Sequence, residues 1–350
     1  MRKSLASIGP GVHPHQLEVQ EFSSYALVID ARAPAAYDED HLPHAVNLPA
    51  CLAGLAHTRA DLDEGMRVTA LRASDGEPAL PYALAAHLRS VEPGSPVLVY
   101  CDRGGLDAVV WAAPLKQLGY QVDVLPGGWP NYQRWVVAGL EVLARSHVFT
   151  RLQAPPVSGA VRVLAALQEQ GHQVLDLVAL AGQRTVRGLC MPGEATPSQS
   201  AFESALLAAM RELDPGRMVW VRDWAAPVAG LSLPPALRDA LACAITMCLE
   251  VPCEARASAW RESLLLQDAS MASLLDAFAA LDGAPPKALL SRCRNMVGQG
   301  QATEALALLI EEYIDPRHAR LSGQACAHVI RLNSLAPTEV SAFVRQWLAG

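Results

Sequence analysis

The sequence predicts an α/β protein with two parallel-sheet domains and a small helical region at the carboxyl terminus. Short apolar runs of strand type alternate with segments whose apolar residues recur at helical spacing, a pattern typical of parallel sheets covered by helices. Of the 350 residues, 51% are hydrophobic but only 5% are aromatic, which favours helix-rich packing over a β-sandwich. The length suits two domains, which we place at residues 1–140 and 141–255, with the helical region at 256–350.

Composition excludes several classes of protein. No run of about 18 uncharged apolar residues occurs, so we expect no membrane span and no membrane partner. The amino-terminal residues carry charge without an apolar stretch behind them, unlike a secretory signal. The net charge of −7 gives no overall attraction to nucleic acid.

The eight cysteines are scattered along the chain and lack the density of a disulfide scaffold. We therefore expect a reducing, cytoplasmic setting. Cys243, Cys248 and Cys253 are spaced by five residues, which is not the spacing of a zinc knuckle, and we predict no metal site.

The elements of the first domain follow from its apolar runs and turn residues. They are a strand at 25–30, a helix near 81–88, a strand at 96–100, a helix at 108–118, a strand at 121–125 and a turn at 126–129. Asp30 and Arg32 flank the end of the first of these strands. We expect them to form a buried ion pair that supports the loop after it.

Residues 97–107 (VLVYCDRGGLD) carry the strongest functional signal in the sequence. A buried strand ends at Cys101, and a glycine loop then leads into a helix. Backbone N–H groups of residues 103–106 and the positive end of the helix dipole would favour a thiolate, the nucleophilic form. A lone cysteine is more often a buried structural residue, but this placement favours a reactive one. The loop residues assigned to the site are Asp102, Arg103, Gly104, Gly105, Leu106 and Asp107.

The second domain again alternates strands and helices. Strands are predicted at 147–153, 173–177, 218–221 and 247–251, and a helix at 161–170. The turn before this helix has the frame of a phosphate loop, G-x-x-x-x-G-K-[ST], with Gly159 in register. Ala154 replaces the first glycine, Ala160 the lysine and Val161 the hydroxyl that would hold magnesium. We therefore expect no ATP or GTP chemistry here.

The carboxyl-terminal region has apolar residues at helical spacing, separated by Gly, Pro and Asp. This pattern predicts five short helices at 269–281, 286–296, 303–313, 323–332 and 338–348.

Four stretches of the first domain resemble the rhodanese-like sulfurtransferases. They are Ile29-Asp30-Ala31-Arg32, residues 41–49 (HLPHAVNLP), Val99-Tyr100-Cys101 and Gly127-Gly128-Trp129. The form Tyr-Cys-x-Arg-Gly-Gly is narrower and resembles the amino-terminal domain of bacterial tRNA 2-selenouridine synthases. This second resemblance continues downstream to residue 316, through stretches at 173–177, 197–199, 213–215, 219–221 and 313–316.

The resemblance implies a rhodanese-like domain followed by a P-loop-NTPase-like domain with a degenerate phosphate loop. It also implies that Cys101 accepts sulfur or selenium and relays it towards the wobble 2-thiouridine of tRNA. Selenophosphate or a persulfide donor would serve as co-substrate, and no resident cofactor would be required. The implied partners are tRNA and a sulfur or selenium donor, either a protein or a small molecule.

Besides the altered phosphate loop, the chain departs from the selenouridine synthase pattern at three places. Asp107 stands where that family carries an arginine, and its charge, with that of Asp102, opposes a thiolate. The family's His-Arg-Gly-Ser appears as residues 183–186 (QRTV), and its acidic stretch appears as residues 222–225 (RDWA). Arg184 and Arg187, near this altered site, are candidates for binding an anion.

Three functions therefore stay open. The first is a tRNA 2-selenouridine synthase-like enzyme, and the second is a plain rhodanese-type sulfurtransferase or persulfide carrier, which needs only Cys101 and its loop. The third is a non-catalytic partner of an intact paralogue.

Overall fold

The computed structural model describes residues 20–50, 82–182, 196–222, 230–266, 269–281, 283–319 and 326–349. The chain divides into two compact units, Met1–Gly139 and Leu140–Gly350. Both contain a parallel sheet interleaved with helices, so the predicted α/β class is confirmed.

The first unit contains a four-stranded parallel sheet in the order β2-β1-β3-β4. Its strands are β1 (Leu27–Asp30), β2 (Ala45–Asn47), β3 (Pro96–Tyr100) and β4 (Gln121–Val124). In the part of this unit that the structure describes, the helices are α1 (Gln20–Ser23), α2 (Pro34–Glu39), α3 (Tyr82–Leu88), α4 (Leu106–Gln117) and α5, which begins in this unit (Gly128–Ser146). The predicted turn at 126–129 is shorter than expected because α5 already begins at Gly128.

The central strands β1 and β3 set the position of the functional loop. All four side chains of β1 are buried, as are the last four of β3, so both strands are covered on both faces of the sheet. Apart from Asp30 and the hydroxyl of Tyr100, these side chains are apolar. Their register aligns Asp30 with Tyr100. The two strands therefore end at the same edge of the sheet, and the segments that follow them start side by side.

The second unit contains a five-stranded parallel sheet in the order β6-β7-β5-β8-β9. Its strands are β5 (Phe149–Gln153), β6 (Gln173–Leu175), β7 (Val219–Arg222), β8 (Ile245–Glu250) and β9 (His328–Arg331). The first half of the unit carries helices α6 (Ala160–Glu169), α7 (Leu177–Leu180), α8 (Gln199–Arg211) and α9 (Pro235–Ala242). After β5 the chain builds one side of the sheet with β6 and β7 and then the other with β8 and β9. The carboxyl end of β5 is thus a topological switch point, where α/β sheets commonly place a ligand site.

The carboxyl-terminal part of the unit is mainly helical, as predicted. Its helices are α10 (Cys253–Leu266), α11 (Met271–Ala279), α12 (Lys287–Gly298), α13 (Ala302–Leu309), a π-helical turn (Ile310–Ile314), α14 (Asp315–Ala319) and α15 (Pro337–Ala349). Several of these helices share a core that includes Trp260, Phe278 and Leu306.

One prediction for this part of the chain, a helix at 323–332, is wrong. The helix expected at 323–332 is replaced, where the structure describes it, by strand β9, which pairs with the buried strand β8. Val329 and Ile330 are β-branched and favour a strand, and Ile330 packs into the same core as Leu249 of β8. Tertiary pairing therefore overrides the helical spacing of the apolar residues.

A disulfide joins Cys248 of β8 to Cys326, which lies two residues before β9, with 5.7 Å between their Cα atoms. The scattered cysteines and the expected reducing setting gave no reason to anticipate this bond. It fastens an edge strand to its neighbour. Among the described cysteines, Cys101, Cys243, Cys253 and Cys293 are free thiols.

Within the described ranges, every helix is too short or too polar to cross a membrane.

Candidate functional site

Cys101 directly follows β3 and lies at the amino end of α4. Cys101 is only 2% exposed and belongs to the apolar core cluster of the first unit. The N–H of Gly105 donates a hydrogen bond to the Cys101 Sγ at 3.2 Å. Because α4 begins at the next residue, the sulfur also lies at the positive end of a twelve-residue helix. Both features favour negative charge on sulfur.

The sequence predicted a collar of N–H groups from residues 103–106, and the structure places one of them, that of Gly105, on the sulfur. The N–H groups of Arg103 and Gly104 lie against Gly128 instead. A β-carbon built on Gly128 would stand 2.5 Å from the Gly104 nitrogen and 2.8 Å from the Arg103 nitrogen. The thiol loop is therefore packed against a second loop, at 126–129.

This packing explains two glycines of the motifs. Gly104 and Gly128 have φ values of 67° and 59°, in the left-handed region that glycine adopts without steric penalty. A β-carbon on Gly104 would stand 2.7 Å from the Leu125 carbonyl oxygen and 2.8 Å from the Gly127 nitrogen. Neither position has room for a side chain, so the two backbones can meet only through glycine.

Asp30 and Arg32 form a buried ion pair at the end of β1, 0% and 4% exposed. The Arg32 Nη2 lies 2.7 Å from the Asp30 Oδ2 and donates a second bond to the Asp40 carbonyl at 2.6 Å. Burial alone would lower the pKa of Arg32, but the hydrogen bond and charge of Asp30 raise it above its usual value. The guanidinium of Arg32 therefore stays charged beside Asp30.

Tyr100, the residue before the cysteine, is tied into the same pair. Its hydroxyl donates to the Asp30 Oδ2 at 2.6 Å and accepts the N–H of Leu42 at 3.1 Å. Burial, together with the charge of Asp30, raises the pKa of this hydroxyl, so Tyr100 remains a neutral donor. This role of Tyr100, which the sequence shows only as part of a motif, was not predicted. An aromatic hydroxyl in register with a buried carboxylate was the available signal.

The remaining loop residues lie nearer the surface. Asp102, Arg103 and Leu106 are exposed, and Asp107 is half-buried in the first turn of α4. The charge of Asp102 is one of the influences that raise the pKa of Arg32, so this carboxylate lies close enough to the buried guanidinium to interact with it. An aspartate in the first helical turn stabilises α4 through its dipole, and Asp107 thereby competes with the sulfur for the same positive end.

The degenerate phosphate loop connects β5 to α6 at the switch point of the second sheet. Ala154 and Ala160 are 8% and 3% exposed, and Gly159 precedes α6 with a φ of 71°. A β-carbon on Gly159 would stand 2.5 Å from the Leu335 Cδ2, and Arg162 donates a hydrogen bond to the Leu335 carbonyl. The segment between β9 and α15 therefore packs directly onto this loop. Val161, in the hydroxyl position, is 49% exposed.

A buried arginine holds the same loop from the helical part. Arg256 of α10 is 3% exposed and donates to the carbonyl of Pro156 at 2.7 Å. It also forms a two-bond ion pair with Asp315, at 2.8 and 2.7 Å. The loop backbone is thus bound by protein groups.

Arg184 and Arg187 lie outside the described residues, as do residues 183–186 and 223–225. Arg222, the last residue of β7, is described and stands 4.0 Å from Asp176, at the carboxyl edge of the sheet. Burial lowers the pKa of Arg222, and the charge of Asp176 partly offsets this effect. Among the described residues, no group of three or more His, Cys, Asp or Glu side chains is arranged to hold a metal ion.

Residues 16–134 match the family model described as Rhodanese-like domain. The first unit contains a rhodanese-like domain. The strand, cysteine loop and helix built around Cys101 all lie inside the matched range, as does the loop at 126–129.

Curated relatives of the chain are named tRNA 2-selenouridine synthase. One from Nitrosomonas europaea is 24% identical over 195 residues, covering 53% of this chain and 49% of that protein. One from Bdellovibrio bacteriovorus is 26% identical over 186 residues, covering 49% and 46%. One from Sulfurovum sp. is 28% identical over 240 residues, covering 65% and 63%. The chain is a divergent homologue of these proteins, and it spans about half the length of the first two.

Proposed function

We propose that this protein is a tRNA 2-selenouridine synthase-like transferase that relays sulfur or selenium through Cys101 towards the wobble 2-thiouridine of tRNA. One observation supports the transfer step. The Cys101 thiol lies at the amino end of α4, inside a rhodanese-like domain, and its sulfur accepts a hydrogen bond from the Gly105 N–H. The name shared by the curated relatives supports tRNA as the acceptor. The contacts around the altered phosphate loop of the second unit favour a second candidate function, given below.

The proposed transfer needs only the thiol and its loop. The Cys101 thiolate attacks the outer sulfur of a donor persulfide, R–S–SH. The sulfur–sulfur bond breaks, and R–S⁻ leaves with the bonding pair and takes up a proton. Cys101 then carries the outer sulfur as a persulfide. The Gly105 N–H and the dipole of α4 would stabilise the anionic product, since charge-assisted bonds are the stronger ones. Selenium reaches Cys101 by the same exchange from the selenium analogue of the persulfide, R–S–SeH, with R–S⁻ again leaving. Selenophosphate holds its selenium at the selenide level and does not serve in this step.

The second candidate function is a plain sulfurtransferase or persulfide carrier, and the contact between Leu335 and Gly159 favours it. Leu335 packs against Gly159, and Arg256 binds the Pro156 carbonyl. No lysine or hydroxyl stands at the positions that would hold phosphate and magnesium. We propose on this ground that the second unit uses neither ATP nor GTP. If the first candidate function is correct, the protein acts in the cytoplasm, because its substrate is tRNA.

Mass spectrometry of the full chain tests the transfer step. After incubation with a persulfide donor, the peptide containing Cys101 should carry one additional sulfur atom. Cys101→Ser should abolish the modification and also the formation of thiocyanate from thiosulfate and cyanide. Cys243→Ser is the matched control, because Cys243 is a free and exposed thiol, and it should leave both unchanged.

Two further results separate the candidates. Binding of unmodified tRNA to the purified chain supports the first function, and sulfur transfer without tRNA binding supports the second. A wild-type chain that never gains sulfur at Cys101 overturns both. That outcome would leave the third function, a non-catalytic partner of an intact paralogue, which co-purification with that paralogue tests.

A further inference from the structure

The turn at 126–129 contacts the cysteine loop through more than its glycines. The N–H of Trp129 donates a hydrogen bond to the carbonyl of Cys101 at 2.9 Å. This bond fixes the peptide unit directly after the cysteine, on which the direction of the following loop depends. Trp129 is only 9% exposed, and its ring lies near those of Tyr100 and Tyr132, with centroids 6.2 and 5.1 Å away.

The ring of Trp129 also contacts a cation. The Arg32 Cζ lies 3.9 Å from the centroid of the Trp129 ring, within the range of a cation–π interaction. Arg32 cannot move easily, because Asp30 and the carbonyl of Asp40 bind its guanidinium. The ring of Trp129 therefore packs against a rigid buried ion pair, and the backbone N–H of Trp129 binds the Cys101 carbonyl.

We propose that Trp129 is a positioning residue for the Cys101 thiol. It transfers the fixed position of Arg32 to the Cys101 carbonyl, and this keeps the Gly105 N–H on the sulfur. The role rests on the proposed function of Cys101 as the reactive thiol. No atom of the Trp129 ring needs to touch the sulfur or a substrate for this role.

The physical basis is the short span of the loop. Three residues separate Cys101 from Gly105, and Gly104 has the left-handed φ of 67°. A side-chain change at Trp129 keeps the backbone N–H, but once the ring is released from Arg32 this N–H can shift away from the Cys101 carbonyl. The peptide after Cys101 can then rotate, and the N–H of Gly105 leaves the sulfur. A charge-assisted hydrogen bond loses strength steeply as its angle and distance depart from the optimum. Thiolate formation should suffer even though the thiol itself remains in place.

The test is the pH profile of Cys101 alkylation by iodoacetamide, followed by peptide mass mapping of the full chain. The plateau rate at high pH reports access to the buried sulfur, whereas the position of the profile reports how readily the thiolate forms. Trp129→Leu should move the profile to higher pH by about one unit, the size expected for loss of a hydrogen bond to a charged group. Trp129→Phe keeps an aromatic ring under the guanidinium and should keep most of the wild-type profile.

Two further variants keep the result interpretable. Leu84→Ala removes a fully buried side chain of α3 from the same core, so it should lower thermal stability without moving the profile. Arg32→Lys keeps the charge beside Asp30 but removes the planar group over the ring, and it should move the profile in the same direction as Trp129→Leu. It replaces Trp129→Leu if that variant does not fold.

A wild-type profile in both Trp129→Leu and Arg32→Lys overturns the positioning role, as does an equal shift in Leu84→Ala. Failure of the proposed function looks different. In that case the profile shifts as expected in the variants, but wild-type Cys101 never gains sulfur from a donor.

Discussion

The side chain of Leu335 occupies the space in front of Gly159, with its Cδ2 atom 2.5 Å from where a β-carbon on Gly159 would stand. In an intact phosphate loop, a glycine lets the backbone approach a phosphate closely. Here a leucine makes that approach. Leu335 is 3% exposed and belongs to the core of the second sheet, so the contact is part of the packing of this unit. Gly159 therefore has a structural requirement that is independent of any ligand.

Substitution of Gly159 by alanine tests this requirement. Gly159 and Gly171 both have positive φ, 71° and 81°, but a β-carbon on Gly171 would meet nothing within 4 Å. Gly171→Ala should lose about 1 kcal/mol, the cost of the left-handed conformation. Gly159→Ala should lose about 2–4 kcal/mol, because overpacking against Leu335 is added. Urea unfolding measures both values.

The double variant Gly159→Ala with Leu335→Ala supplies the control. If Leu335 causes the excess, the two losses should not add, since truncation of the leucine makes room for the new methyl group. Equal losses in Gly159→Ala and Gly171→Ala would show that Leu335 yields without cost.

The site of the first unit was largely predictable because its signals are local. A strand, a cysteine, two glycines and a helix start are consecutive in the chain, and Asp30 and Arg32 are two residues apart. The partner of Gly104 was not predictable in this way. It is Gly128, which lies on another stretch, and only the folded sheet brings the two backbones together. The role of Trp129 was missed for the same reason.

The second unit shows the opposite balance. Its altered loop residues were read from sequence, but no local pattern could indicate that Leu335 fills the loop. The same limit explains β9, where pairing with β8 decides the structure of a segment with helical spacing. Contacts between distant segments are weakly encoded in any short window of sequence.

The hydroxyl of Tyr100 gives a pH-dependent prediction. Its pKa is raised in the folded state by burial and by Asp30, so the unfolded chain ionises this residue first. The resulting stability is fully present below the unfolded value of about 10 and is lost as the pH rises above it. Tyr100→Phe should therefore show a shallower loss of stability between pH 9 and 11 (roughly one unit on either side of that value).

The same variant should also be less stable at neutral pH. It leaves the N–H of Leu42 without its acceptor and removes a donor from Asp30, a loss of about 1–3 kcal/mol. Tyr120→Phe is the control, because its hydroxyl makes a single bond to the Val91 carbonyl, and it should lose about 1 kcal/mol or less. Urea midpoints across the pH range compare the two, and identical pH slopes for both variants would contradict the role given to Tyr100.

The ion pair of Arg256 and Asp315 should contribute more than its surface counterparts. The side chain of Arg256 is 4% exposed, so Asp315→Asn leaves a buried guanidinium without its counter-charge. We expect a loss of about 3 kcal/mol. In the exposed pair of Arg294 and Asp276, the side chains are 46% and 73% exposed, and Asp276→Asn should lose less than about 1 kcal/mol. Chemical unfolding distinguishes them, and similar small losses would mean that water reaches Arg256.

The disulfide between Cys248 and Cys326 spans 78 residues of sequence. A closed loop of that length should stabilise the second unit by about 3–5 kcal/mol, chiefly by restricting the unfolded chain. Cys326→Ser, or reduction of the wild type, should lower the urea midpoint accordingly. Cys243→Ser removes an exposed free thiol and should change little. A wild-type midpoint that is insensitive to reductant would show that the bond is absent in solution.

The charge at position 107 bears on how readily the Cys101 thiolate forms. Asp107 lies in the first turn of α4. The N–H of Gly105, the residue before this helix, donates a hydrogen bond to the Cys101 sulfur. Replacing a negative charge by a positive one near this end should favour the thiolate, and Asp107→Arg should speed alkylation of Cys101 at pH 7 by about fivefold. Asp107→Asn should give an intermediate rate.

Asp107→Arg should also lower the free energy of unfolding by about 0.5 kcal/mol, because an acidic residue in the first turn interacts favourably with the dipole of α4. Asp38→Arg makes the same charge change at an exposed position of α2 and controls for the net charge of the protein. An unchanged or slower rate in Asp107→Arg would mean that this carboxylate does not face the sulfur. In that case the Gly105 N–H and the helix dipole alone would govern the reactivity of Cys101.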